Sequence, residues 1–219
     1  LAGLLLTVVQ LIQVSPIILK AEVYEDAAAA SQLAHVHASV EQEHHEHEHH
    51  EHEVWQPANG VERTLFTALA NISLAVGFGL LLGAAICLHG EVSGWRAGLL
   101  WGLAGYVVFF VAPSLGLPPE VPGTEAAPLT DRQLWWLIAV GTTASGLSLL
   151  IFIRTWQVKI LGAVLLVVPY LIGAPQPQVH ASAAPVELAH AFIYATAIAN
   201  AVFWLALGSL MGLFYKKFA

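Results

Sequence analysis

Between His35 and Glu53 the chain gathers eight of its eleven histidines: His35, His37, His44, His45, His47, His49, His50 and His52. Glu41, Glu43, Glu46, Glu48, Glu51 and Glu53 are interleaved with them. Neutral imidazole suits cobalt, nickel, copper and zinc ions, and carboxylates complete or neutralise such a site. In an extended chain His45, His47 and His49 point the same way; in a helix His45 and His49 share a face. The tract can therefore chelate in several conformations. That is the behaviour of a collector of modest affinity, unlike the closed tetrahedral site of a structural zinc. Imidazole must lose its proton to bind, so loading should weaken as the pH falls below about 6.5. The plainer alternative is a solvated acidic spacer.

Metal capture alone does not make a route across a membrane, which needs polar groups at membrane depth. The candidates are sparse. Gln10 and Gln13 lie one turn apart just before Pro16, and Glu22 and Glu25 follow just beyond it. Asn71 and Asn200 fall within later apolar runs, as does the hydroxyl-rich stretch Thr142, Thr143, Ser145 and Ser148. Glu187 and His190 are neighbours at the start of the last run, with His180 in the loop before it and His89 at the far end of the second run. A relay can be drawn from the His/Glu tract through His180, Glu187 and His190, past Gln10 and Gln13, towards His89. For each residue singly, the competing reading is an interhelical hydrogen bond or an interfacial histidine.

These groups must be positioned by apolar elements. The chain is 57% hydrophobic and 11% charged, with a mean hydropathy of +0.69. A soluble domain carries about a quarter charged residues, so the bilayer is the expected solvent. Six stretches approach the ~20 apolar residues that a spanning helix needs. They run over about 1–19, 65–88, 95–112, 134–153, 158–173 and 188–214. The fifth is short and contains Pro169, and the third is closed by Pro113. The expected fold is all-α, a single polytopic membrane domain over 1–219. It has five to six transmembrane helices and an external His/Glu-rich loop over 21–62. The chain opens at Leu1 inside an apolar run, so residues are expected before it. No A-x-A-like site directly follows that run, which favours a span over a signal peptide.

Six of the fifteen acids lie in the His/Glu tract, and without them nine acids face eight bases. The negative charge is thus one local cluster, and nucleic acid is excluded as a partner. With six spans, Arg96, Arg154, Lys159, Lys216 and Lys217 share one side, against Lys20, Arg63 and Arg132 on the other. The positive-inside bias places the first group in the cytoplasm and the His/Glu loop outside. Gly79 and Gly83 form a GxxxG pair, and Gly98, Gly102 and Gly105 a second small-residue face; both read as helix-packing seams. Trp55, Trp95, Trp135, Trp136 and Trp156 near span ends read as an interfacial belt. The single Cys87 excludes an intramolecular disulfide. No phosphate-binding loop, nucleophile elbow or intramembrane H-E-x-x-H is present, so an enzyme is not expected.

The run into Gln13-Val14-Ser15-Pro16, then Ala21-Glu22-Val23-Tyr24-Glu25, the His-rich loop, and Asn59-Gly60-Val61-Glu62-Arg63 entering the second span give the chain a recognisable order. In that layout it resembles the CbtA family of probable cobalt transporter subunits, associated with vitamin B12 biosynthesis in bacteria. The resemblance implies cobalt import through the bacterial inner (plasma) membrane, with Co2+ as the transported ion. It also implies a small single-span, His-rich partner of CbtB type, and five spans where the hydropathy pattern has six. Nickel or zinc transport, and a membrane-anchored metal-binding or sensing protein that moves nothing, are the alternative readings.

Overall fold

The computed structural model describes residues 1–40, 55, 57–90, 94–179 and 181–218, with the side chains of 32–40, 216 and 218 left aside. Among these residues there are only helices and one isolated β-bridge. Helix α1 (Ala2–Val9) passes through a π-helical turn, Gln10–Val14, into α2 (Ser15–Val40). Helix α3 covers Val61–His89, and α4 (Trp95–Tyr106) passes through a second π-helical turn, Val107–Val111, into α5 (Ala112–Gly116). Then follow α6 (Leu129–Phe152), α7 (Trp156–Ile172) and α8 (Val186–Phe218).

Two of these helices are longer than the hydropathy pattern suggests, and proline explains how. A proline inside a helix lacks an N–H and presses its ring on the carbonyl four residues earlier. For Pro16 and Pro113 those carbonyls belong to Ile12 and Phe109, and each lies inside a π-helical turn. The widened turn accommodates the ring, so the helix continues through the proline instead of stopping at it. The third span accordingly runs on to Gly116, past the expected stop at Pro113. Residues 21–40, expected as loop, continue the first helix. Ala27–Ala30 and the surrounding Glu, Gln and Leu are strong helix formers.

Five helices are long and apolar enough to cross a bilayer on their own: Ala2–Ser31, Val61–His89, Trp95–Gly116, Leu129–Phe152 and Val186–Tyr215. The sixth, α7, has 17 residues, which makes about 26 Å against a ~30 Å hydrocarbon core. Its direction is set by its partner. Gly162 packs on Gly146 of α6, and the Trp135 indole of α6 donates to the Pro169 carbonyl at 3.1 Å. The two helices are therefore antiparallel and level. The loops on either side of this hairpin meet: Thr124 bridges Ser182, and Glu125 N donates to Ala181 O at 3.0 Å. α7 returns the chain to the face that α6 left. We call this the cap face. The opposite, turn face carries Gly90, Gly94 and the Ile153–Thr155 connection, and there His89 meets Phe152 with ring centroids 4.4 Å apart.

Glycine determines how closely the helices pack. A Cβ on Gly98 would stand 2.8 Å from the Gly212 Cα, and one on Gly102 would stand 3.1 Å from the Gly208 Cα, so α4 and α8 touch backbone to backbone. Gly79 and Gly83 also face α8, but meet only the side chains of Leu207 and Met211. The main core gathers Leu6, Leu82, Ile86, Phe203, Trp204 and Leu207 from three helices, α1, α3 and α8. Trp135 departs from the expected interfacial belt: it is 3% exposed, wedged under Gly116 and Pro169. Trp55, Trp95 and Trp156 remain exposed.

Candidate functional site

The polar groups that the fold brings together at membrane depth lie where α1 crosses α3. Gly3 rests on the backbone of Asn71 and Ile72, with no room for a Cβ, and this lets α1 lie flat on α3. From there Asn71 reaches two residues of the first helix. Its Nδ2 donates to Thr7 Oγ1 at 3.1 Å and to Gln10 Oε1 at 2.7 Å. Thr7 in turn donates to the Gly3 carbonyl at 3.0 Å. Asn71 and Thr7 are buried, and Gln10 is partly so. Gln10 opens the π-helical turn, and widening a turn increases the angle between residues three apart. This is why Gln13 separates from Gln10 and is exposed on the bundle surface. Asn71 lies eight residues below Arg63 on α3, a depth of about 12 Å.

Above this cluster, Arg63 makes a two-armed ion pair with Glu22. Nη1 donates to Oε2 at 3.0 Å and Nη2 to Oε1, while Nη1 also donates to Asn59 Oδ1 at 2.8 Å. Glu22 is thus held by a guanidinium. Glu25, one turn on, is exposed, and its Cβ lies where a Cβ on Gly123 would come within 3.1 Å. Gly123 has φ +75°, so glycine suits both the backbone and the close approach. Around this contact Ala21, Val121 and Ala184 form a small buried core that seats both cap-face loops on α2.

The remaining expected ligands fall into two groups, those outside the described residues and those within them. His44, His45, His47, His49, His50, His52 and His180 lie outside the described residues. His35 and His37 lie on α2, where only the backbone is described. Glu187 and His190 are exposed on the first turns of α8, and Glu187 lines a pocket of about 470 Å³ with Lys20 and Tyr24. A lysine ammonium in that pocket opposes cation binding there. His89 sits on the turn face, packed by Trp101 and Phe152. It is 18 residues from Asn71 along α3, about 27 Å. Asn200 donates to the Thr196 carbonyl of its own helix at 3.0 Å. Among the described residues no three His, Cys, Asp or Glu side chains come together as a metal site. Among the described residues, no polar group joins Asn71 to His89: between them the interior is the apolar core of Leu82, Ile86 and Phe203.

Sequence reasoning overlooked Thr7 and Arg63 as functional neighbours, as well as Gly3, Gly146, Gly162, Gly208 and Gly212 as packing sites. Thr7 carried a signal, since it precedes Gln10 by three residues and so shares its face. His45, Glu46 and His49 also complete the letters H-E-x-x-H within the polar tract. That match lies outside the described residues.

Alternating apolar helices, glycine-seamed and with amide and ion-pair contacts near one face, define a multi-pass helical membrane protein. The chain belongs to the CbtA family, described as "Probable cobalt transporter subunit (CbtA)", whose profile matches residues 1–216. The match covers essentially the whole chain. Comparison with curated proteins and with solved structures found no match.

Proposed function

We propose that the chain admits cobalt through the inner membrane, with the His/Glu tract gathering the ion on an outward-facing cap face. The observation that carries this reading is the pairing of Glu22 with Arg63. It ties α2 to the start of α3, so the two helices that lead into and out of the tract are joined on the cap-face side of Thr7, Gln10 and Asn71. A local store of ions would then stand over the most polar site inside the bundle. Orientation rests on Arg96, Arg154 and Lys159 at the turn face, which the positive-inside bias assigns to the cytoplasm. Cobalt rests on the family.

In this reading the tract is an antechamber. Imidazoles at varied spacing exchange an ion readily, which suits hand-over better than storage. Gln10 and Asn71 offer neutral amide oxygens to a partly dehydrated cation, a role for which a buried carboxylate would bind too tightly. The apolar core below them obstructs passage, so conduction calls for a rearrangement or for a partner. A small single-span His-rich subunit of CbtB type is the partner that the family resemblance suggests, and supply of cobalt for cobalamin synthesis is the use.

The test is uptake of labelled cobalt into cells expressing the chain with and without that neighbouring subunit. Uptake that depends on the chain supports the reading. Unchanged uptake, with cobalt still bound by the purified protein, would instead identify a membrane-anchored metal binder.

A further inference from the structure

A second feature lies on the other side of the bundle, away from the cap face. The α6–α7 hairpin leans on the rest of the protein through its cap-side half. There Trp135 packs under Gly116, Phe109 meets Trp136 at 6.2 Å, and the Tyr170 hydroxyl donates to the Ala112 carbonyl at 2.8 Å. Between these contacts and the His89–Phe152 contact at the turn face, the hairpin stands off from α3 and α4, leaving a cavity of about 460 Å³. Phe78, Leu81, Ala85, Leu100, Ala144 and Leu147 are among the residues that line it. The volume lies within the ligand-pocket range of roughly 300–1,000 Å³. Its one lining hydroxyl, Ser148, is already donated to the Ala144 carbonyl at 2.8 Å. Apart from the indole N–H groups of Trp101 and Trp204, nothing polar is offered to an ion or a sugar, and the occupant must be largely apolar.

The shape and the charge at its end specify it further. Along α4 and the π-helical turn after it, the lining runs from Ala97 to Phe109, twelve steps of the chain, or about 18 Å. That is close to the depth of one leaflet, half of the ~30 Å hydrocarbon core. The turn-face end is marked by the aromatic group of Trp101, Phe152 and His89. Beside it in the chain stand cations: Arg96 immediately precedes lining residue Ala97, and Arg154 follows Phe152 by two. Lys159 begins the next turn of α7. All three are exposed, and no acid accompanies them among the described residues of the turn face. Basic groups beside an intramembrane pocket recognise anionic lipid headgroups.

We propose that this cleft binds one acyl chain of an anionic phospholipid from the turn-face leaflet. The headgroup is held by Arg96 and Arg154, and the chain fills the gap between the hairpin and α3–α4. The lipid then acts as a wedge that fixes the angle of the α6–α7 hairpin, a role independent of which ion is carried.

The test uses the full chain in phosphatidylcholine vesicles containing a minor share of phosphatidylglycerol with a diazirine in its acyl chain. After photolysis, adducts are mapped to peptides. Labelling concentrated on the lining of α4 and α6, around Leu100, Ala144 and Leu147, is expected. Labelling confined to outward positions such as Leu137 and Leu161 would overturn the proposal. In parallel, Ala144→Phe and Ala85→Phe, checked for folding by helical circular dichroism, should lose the cleft adduct several-fold. An unchanged adduct in folded variants overturns it as well. Arg96→Gln and Arg154→Gln should keep the acyl site but lower the preference for phosphatidylglycerol over phosphatidylcholine by roughly fivefold per base removed. If instead a photo-crosslinker placed at Ser148 captures a polypeptide in cells, the cleft is a helix-docking groove and the lipid assignment fails.

Discussion

Gly98 of α4 lies so close to Gly212 of α8 that a methyl group on Gly98 would stand 2.8 Å from the Gly212 Cα and N. Because the opposing atoms are backbone, no side chain can rotate out of the way. In lipid, where apolar burial does not drive helices together, close backbone contact is a main source of adhesion. The α4–α8 seam is the tightest in the bundle by this measure.

Gly98→Val should therefore destabilise the protein by about 1–3 kcal/mol or more, the usual cost of overpacking. Gly77, with nothing within 4 Å of its would-be Cβ, is the control. Gly77→Ala should leave stability unchanged or slightly raised. Thermal unfolding of the detergent-solubilised variants reads the difference, and equal losses at the two sites would refute the seam.

The Glu22–Arg63 pair is about one-third exposed on each side. Solvent screening limits such a pair to roughly 0.2–1 kcal/mol. Arg63→Glu should loosen the contact of α2 with the start of α3, and the exchanged double variant Glu22→Arg/Arg63→Glu should recover most of the loss. A double-mutant cycle on thermal stability measures the coupling. Additive losses would mean that the pair does not hold the two helices together.

α7 decides the topology. In a Cys87→Ser background, Gln176→Cys and Ser182→Cys should react with a membrane-impermeant maleimide applied from one side. Gln157→Cys should react only from the other. Labelling of Gln157→Cys and Gln176→Cys from the same side would show that α7 does not cross, contrary to its level antiparallel packing on α6.

Asn71 is the test of the membrane-depth site. Asn71→Leu strands Thr7 and Gln10, and interhelical hydrogen bonds in membranes are worth about 0.6 kcal/mol, up to ~1.7. The protein should still fold, but cobalt uptake should fall several-fold at saturating cobalt. Normal maximal uptake in a folded Asn71→Leu variant would remove the amide cluster from the route.

Deleting His44–Glu53 should act differently. A collector raises local concentration, so uptake should fall at low external cobalt and recover at high cobalt. Cobalt binding by the tract should weaken as the pH drops below about 6.5, because protons compete for neutral imidazole. Complete loss of uptake at saturating cobalt would place the tract within the route itself.

Much of this architecture was legible in the chain. Hydropathy alone located the apolar helices, since a bilayer requires about 20 apolar residues per crossing whatever their neighbours. The order of the motifs, from Gln13-Val14-Ser15-Pro16 to Asn59-Gly60-Val61-Glu62-Arg63, led to the right family. The richness of the His/Glu tract in metal-binding residue types is likewise a fact of sequence.

What the sequence left open depends on contacts between helices. Periodicity places Gln10 and Gln13 on one face, but the π-helical turn that accommodates Pro16 parts them and sends only Gln10 to Asn71. Small residues mark where helices can approach without saying which helix will. Gly98 found Gly208 and Gly212, whereas Gly79 and Gly83 met only side chains. A short apolar segment such as Trp156–Ile172 has no direction until it packs, and its pairing with α6 turned it back towards the cap face. Local chemistry fixes what each segment is able to do. Which polar groups finally meet is decided by the register and crossing of helices far apart in the chain, and only the packed bundle sets those.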